Sequence, residues 1–155
     1  TQSVWDEATL VLQNLGLNND ANLSYAKQIL NEIGLEGRIN IHPQRLSYGE
    51  KRRLNLAAVI LHHPKLLLID EFLIGQDMQN ARKWMMVLRD FADRGHAILL
   101  VNHQANLTQE FCDQVIFLDS GQIIVNGPVF QAFGSLAELG YEVYLPHAQK
   151  ELISA

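Results

Sequence analysis

The hydrophobic rhythm of the chain changes near Leu46. Before that point Val4, Ala8, Val11, Leu12 and Leu15 recur at helical spacing and stop at Gly16. Leu23, Ala26, Ile29, Leu30 and Ile33 form a second stripe, closed by Gly34. Spacing of three and four puts such residues on one helix face, and a glycine just past the last turn supplies the left-handed residue on which helices often end. Strand-like runs are absent here, so the pattern predicts a small helical region over residues 1–45. Its last part, residues 37–45, is polar, contains Pro43 and reads as a connector.

After Leu46 the pattern alternates. Glu50 to about Leu61 predicts a helix closed by His62-His63-Pro64, because proline cannot continue a helix and disfavours helical geometry just before it. Leu66 to Ile69 is an unbroken apolar run between turn signals, which predicts a strand buried on both faces. An amphipathic helix follows, with Ala81, Trp84, Met85, Leu88, Phe91 and Ala92 on one side and Gly95 after it. Ala97 to Val101 predicts a second buried strand, and Asn106 to Phe111 a short helix. Val115–Leu118, Asp119-Ser120-Gly121 and Ile123–Val125 read as strand, turn and strand of a hairpin. Strand, helix, strand, helix, strand predicts an α/β fold with a parallel sheet and right-handed crossovers. Residues 147–155 carry little pattern and predict a disordered tail after a core of residues 46–146.

Composition narrows the function classes. The 155 residues suit one ordinary domain, and 48% apolar with 19% charged residues is a core-forming balance. A net charge of −5 argues against nucleic acid as the partner. Cys112 is the single cysteine, so internal disulfides and Cys-x-x-Cys chemistry are excluded, and it reads as buried and inert. Trp84-Met85-Met86 reads as core, and the neighbouring His62 and His63 as a poor metal pair. The apolar runs fall far short of the roughly 20 residues of a membrane helix, and no signal-peptide pattern opens the sequence. The expectation is a soluble, cytoplasmic chain.

Three segments carry candidate chemistry. Leu66-Leu67-Leu68-Ile69-Asp70-Glu71 ends an apolar strand in two acids, at the sheet edge where ligands of parallel α/β folds bind. Alone it admits two readings: solvated acids at a strand end, or a Walker B motif. In the second, Asp70 holds Mg²⁺ through water and Glu71 orients or deprotonates an attacking water. Leu46-Ser47-Tyr48-Gly49-Glu50 opens a helix with a hydroxyl, a glycine and free N–H groups suited to an anion. Ser47 is otherwise a plain N-cap, and Lys51, Arg52 and Arg53 are either extra positive charge or a solvated helix face. His103 closes Val101-Asn102-His103 at the end of the second strand, where an imidazole can reach a terminal phosphate.

In this order the segments resemble the ATP-binding subunit of an ABC transporter, over roughly residues 3–146. Ser47, Tyr48, Gly49 and Glu50 lie in a segment similar to its signature motif, and Asp70 and Glu71 in one similar to its Walker B. Gly75-Gln76-Asp77 resembles the end of its D-loop, His103 its switch histidine, and residues 115–123 its closing hairpin. The form of residues 48–53 and of 139–146 most resembles the energy-coupling-factor importers of vitamins and metal ions. The resemblance implies a partial P-loop NTPase (RecA-like) sheet with a helical subdomain. It also implies ATP and Mg²⁺ as cofactors, a second nucleotide-binding domain and a transmembrane subunit as partners, and a place on the inner face of the cell membrane. Glu71 and His103 would be catalytic, Asp70 the metal ligand, Ser47 to Glu50 the contact to ATP held by the partner domain, and Asp77 a D-loop residue.

The match also has gaps. The family needs a phosphate loop, G-x-x-x-x-G-K-[ST], and none of the ten glycines here is followed by lysine. Its Q-loop glutamine falls before Thr1, so the chain reads as the C-terminal part of a nucleotide-binding domain, lacking the Walker A strand. Such a sheet would carry unpaired edges, predicting rearrangement, self-association or pairing with another chain, and no ATP turnover by the chain alone. Phe72-Leu73 stand where the family has Pro-Thr, and Gln76 where its D-loop has leucine. Two alternatives remain: a chromosome or DNA-repair ATPase, which the glycine-interrupted helices disfavour, and a non-catalytic interaction module, which leaves Asp70, Glu71 and His103 together unexplained.

Overall fold

A computed structural model describes residues 1–73 and 77–154. The chain divides into two compact units, Thr1–Leu100 and Val101–Ala155.

The first unit begins with α1 (Val4–Asn14) and α2 (Asp20–Glu32). Ser3 caps α1 by accepting from the Asp6 N–H at 3.1 Å, and Asn19 caps α2 through Asn22 at 2.9 Å. Gly16 and Gly34 lie just past the two helices with φ of +67° and +71°. At these two positions the helix stop requires the left-handed geometry that glycine adopts without strain. Val4, Ala8 and Leu12 of the first stripe and Ala26, Ile29, Leu30 and Ile33 of the second are buried, whereas Leu15 is exposed. The connector holds two 3₁₀ turns, Glu36–Arg38 and Pro43–Arg45. α3 (Tyr48–Ile60) buries Leu54, Leu56, Ala57 and Ile60 and packs on α1.

β1 (Leu66–Asp70) and β2 (Ala97–Val101) form a two-stranded sheet, linked by the crossover helix α4 (Met78–Asp93). α4 presents Ala81, Trp84, Met85, Leu88 and Phe91 to the core as its spacing predicts, while Met86 is exposed.

The two strands depart from the expectation of burial on both faces. In β1 only Leu67 and Ile69 are buried, and Leu66 and Leu68 are 55% and 67% exposed. In β2 Leu99 is 53% exposed. Side chains alternate across a strand, so one face meets the core and the other carries leucines that the described residues leave uncovered.

The second unit holds α5 (Ala105–Phe111), β3 (Gln114–Asp119), β4 (Gln122–Pro128), α6 (Val129–Glu138) and α7 (His147–Ser154). β3 pairs antiparallel with β4 and belongs to a separate sheet from β1 and β2, so the single sheet expected from the strand–helix alternation is two sheets. The hairpin turns on Ser120 and Gly121, both at positive φ (+49° and +78°), the geometry that suits the twist of paired strands. Its register shifts between Phe117 and Leu118, where Ile124 is the extra residue of a bulge. Val125, Val129, Ala132, Phe133, Leu136 and Leu145 form the core of this unit. Residues 147–154, read from sequence as a patternless tail, form α7, which begins where the His147 N–H donates to Asn106 Oδ1 at 2.9 Å. Cys112 is half-buried, not fully buried as expected, because it lies at the C-cap of α5 with its N–H on the Thr108 carbonyl at 3.0 Å.

Candidate functional site

Ser47 is the N-cap of α3, and its local geometry follows from the Ser-x-x-Glu spacing. The Glu50 N–H donates to Ser47 Oγ at 3.3 Å, and the Ser47 N–H donates to Glu50 Oε2 at 2.8 Å. Arg38 from the connector donates through Nε to Glu50 Oε1 at 3.1 Å. The Ser47 N–H bonds chiefly, and Arg38 in addition, hold the Glu50 carboxyl below its ordinary range against a small opposing effect of burial. Glu50 is therefore a charged fastener of the turn. Ser47 and Tyr48 are exposed and Gly49 is half-buried. The first N–H groups of a helix lack intrahelical partners. Ser47 Oγ meets that of Glu50, while those of Tyr48 and Gly49 stand in the exposed first turn, and the serine hydroxyl keeps a proton to donate.

Asp70 and Glu71 are both exposed at the carboxyl end of β1. Glu71 has φ +47°, an unusual value for a residue other than glycine. Such a conformation costs about 1–3 kcal/mol and persists only where the surroundings impose it. Here Arg52 of α3 donates through Nη2 to the Glu71 carbonyl at 3.1 Å. Phe72 and Leu73 turn back into the core, and the Phe72 ring meets Trp84 of α4 edge-on at 5.0 Å and 78°. A groove of about 250 Å³ between α3 and β1 includes Arg52, Asn55, Val59, Leu68, Asp70 and Phe72 in its lining.

Asp77 caps α4, accepting from the Asn80 N–H at 2.9 Å and from Asn80 Nδ2 at 2.5 Å. The Asn80 backbone bond is the main cause that lowers its carboxyl from the usual value. Gly75 and Gln76, the other residues of the D-loop resemblance, lie outside the described residues.

His103 is in the second unit, exposed in the segment between β2 and α5. The segment around it is fixed by Asn102, whose Nδ2 donates to the Gln104 carbonyl and to Thr108 Oγ1, each at 3.2 Å. The Gln104 N–H returns to Asn102 Oδ1 at 3.1 Å. Neither role has a sequence signal: Asn102 looks like part of a strand end and Arg52 like plain charge, because a side chain that bonds backbone across nineteen positions leaves no mark in sequence spacing.

Among the described residues no group of three or more His, Cys, Asp or Glu side chains could enclose a metal ion. The donors at the end of β1 are Asp70 and Glu71. That set fits Mg²⁺ of the kind that takes one or two carboxylates and completes its shell with water and phosphate oxygens, and does not fit an all-protein cage. No helix among the described residues is long and apolar enough to cross a membrane.

Comparison with known proteins converges on one group. The family described as ABC transporter matches residues 1–73. A protein of Methanosarcina acetivorans, named as an ABC transporter ATP-binding protein, is 33% identical over 94% of this chain and 24% of its own length. One of Pyrococcus abyssi, similarly named, is 36% identical over 85% of this chain and 51% of its own. A solved structure of an ATP-binding subunit of an ABC transporter superposes with a TM-score of 0.76 at 24% identity, over 90% of this chain and 61% of that one. The chain thus spans about a quarter to a half of these curated relatives and some six tenths of the solved subunit.

Proposed function

We propose that this chain, a relative of the ABC transporter ATP-binding proteins, contributes the signature-motif half of one ATP site and the Walker B half of another. In the complete polypeptide two such domains would pair head to tail, and their closure and hydrolysis would power a transmembrane subunit. The helical residues 1–45 would face that subunit at the inner face of the cell membrane. The observation that carries this reading is the placement of the polar groups: Ser47 at an exposed helix start, and Asp70 and Glu71 at the exposed carboxyl end of β1.

Bound ATP with Mg²⁺ would supply the phosphoanhydride and neutralise its charge. Asp70 would hold the metal through water. Glu71, on a carbonyl-anchored backbone, would accept a proton from the attacking water or orient it. Ser47 and the N–H groups of Tyr48 and Gly49 would hold the γ-phosphate of the nucleotide bound by the opposite domain. His103 would hydrogen-bond a terminal phosphate. Asp77 would stand at the junction of the two domains as the cap of α4.

The test is Mg-ATP turnover by the complete polypeptide and its Glu71→Gln variant. Loss of the general base should lower kcat by about 10²-fold or more while ATP binding persists. Unchanged turnover in Glu71→Gln would overturn the assignment. The chain by itself should not turn over ATP, since no glycine in it precedes a lysine and so no phosphate loop is available.

A further inference from the structure

Arg52 joins parts of the candidate site that the sequence keeps apart. Its guanidinium carbon lies 5.6 Å from the ring centre of Tyr48, in the signature segment, and 5.5 Å from that of Phe72, the residue after Glu71. The same guanidinium donates to the Glu71 carbonyl at 3.1 Å. Phe72 in turn meets Trp84, which is buried on α4, the helix that Asp77 caps.

We propose that Arg52 is a positioning residue that couples the two half-sites of one chain, making the placement of Glu71 depend on whether a nucleotide covers Tyr48 and Ser47. The proposal deepens the ATPase reading and rests on it. Glu71 has a left-handed backbone that only its surroundings can hold. Arg52 bonds its carbonyl, and Phe72 next to it lies against both the guanidinium and Trp84. At the other end Tyr48 is 75% exposed, so the contact chain is open to solvent on the signature side. A phosphate and its partner domain arriving there would displace water from Tyr48 and Arg52. Loss of water strengthens both the cation–π contact and the charged hydrogen bond to Glu71, and so stiffens the loop that carries the carboxylate.

This role needs the guanidinium. A planar fork can stack on a ring and donate from its edge together, which a lysine ammonium does not reproduce. Arg52→Lys should therefore behave like Arg52→Ala.

The experiment compares Arg52→Ala, Arg52→Lys, Tyr48→Ala, Tyr48→Ala/Arg52→Ala and Glu71→Gln in the complete polypeptide, with Mg-ATP kinetics. Amide hydrogen exchange over residues 70–73 is followed in the same proteins. Both Arg52 variants should lose about tenfold in kcat with KM and the thermal midpoint nearly unchanged, and exchange at 71–73 should rise about tenfold. The double variant should lose little beyond Arg52→Ala, because both residues act through one path. If Glu71→Gln is inactive while Arg52→Ala keeps wild-type kcat and exchange, the coupling falls and the ATPase reading stands. If Arg52→Lys restores kcat, the charge alone suffices and the coupling also falls. If Glu71→Gln retains turnover, the assignment of Glu71 fails and takes this proposal with it, whereas a complete wild-type polypeptide without turnover would overturn the ATPase reading itself.

Discussion

The imidazole of His63 lies along the ring of Tyr25, with centres 5.2 Å apart and planes 18° from parallel. His63 also stacks on His96 at 5.9 Å, and His96 on Phe91 at 4.0 Å. The group ties α2, the end of α3 and the start of β2 together, although His63 sits at φ +52° where glycine would be unstrained. Arg94 covers Tyr25 at 4.9 Å, and His96 Nδ1 is 2.8 Å from the Pro64 carbonyl oxygen. Desolvation first, then the positive potentials of His96, Arg94 and His62, push the His63 imidazole below its ordinary 6.5. Asp90, paired with Arg94, and Glu32 are the acids facing this group.

A lowered imidazole pKa means that the folded chain binds the proton less well than the unfolded one. The stabilisation is present above the unfolded value and is lost as pH falls through it toward the folded one. Urea midpoints should therefore fall between about pH 7.5 and pH 5, and fall less in His63→Asn, which tolerates the left-handed backbone without an imidazole. Equal pH dependence in the two proteins would show that His63 does not carry the effect.

The capping box at Ser47 gives a second expectation. Removing the hydroxyl in Ser47→Ala should destabilise the first unit by about 1 kcal/mol, read from chemical denaturation. Glu50, with its carboxyl lowered mainly by the Ser47 N–H, contributes stability above its ordinary 4.5 that is lost as pH falls below it. Acid should then weaken the wild type more than Glu50→Gln. A Ser47→Ala protein of wild-type stability would place the start of α3 under other control.

The uncovered faces of the strands give a third. Leu66, Leu68 and Leu99 stand in one small sheet, each more than half exposed. Such a patch, beside strand edges that no described strand pairs, favours association. Sedimentation should show concentration-dependent assembly of the chain in the micromolar range, reduced in Leu66→Thr/Leu68→Thr, where threonine keeps the strand preference. A wild-type chain that stays monomeric at high concentration would remove this expectation.

Helix starts and stops were legible wherever a local device set them: Gly16, Gly34 and Gly95 behind their helices, Pro64 after α3, and the hairpin turn at Ser120-Gly121. The depth of the strands was not. A run such as Leu66–Ile69 reports that a strand is apolar on both faces, and not whether this chain brings the layer that covers the second. α6 carries the helical spacing in Val129, Ala132, Phe133 and Leu136, but it follows β4 without a break and Pro128 at its start makes no side-chain cap, so no local device marks where it begins. At the candidate site, Asp70, Glu71 and Ser47 stand out in sequence by their position at element ends. Arg52 does not, because its effect depends on the backbone of a distant loop.

The hairpin of β3 and β4 and the helix that follows share an apolar cluster drawn from residues between Ala105 and Leu145 alone. Every loop that must close to build it is short, so little chain entropy opposes its formation. This stretch can condense quickly, without waiting for a distant strand to be threaded in. Its assembly speed is thereby uncoupled from that of the sheet bearing Asp70 and Glu71, which needs α4 to cross over before its strands can meet.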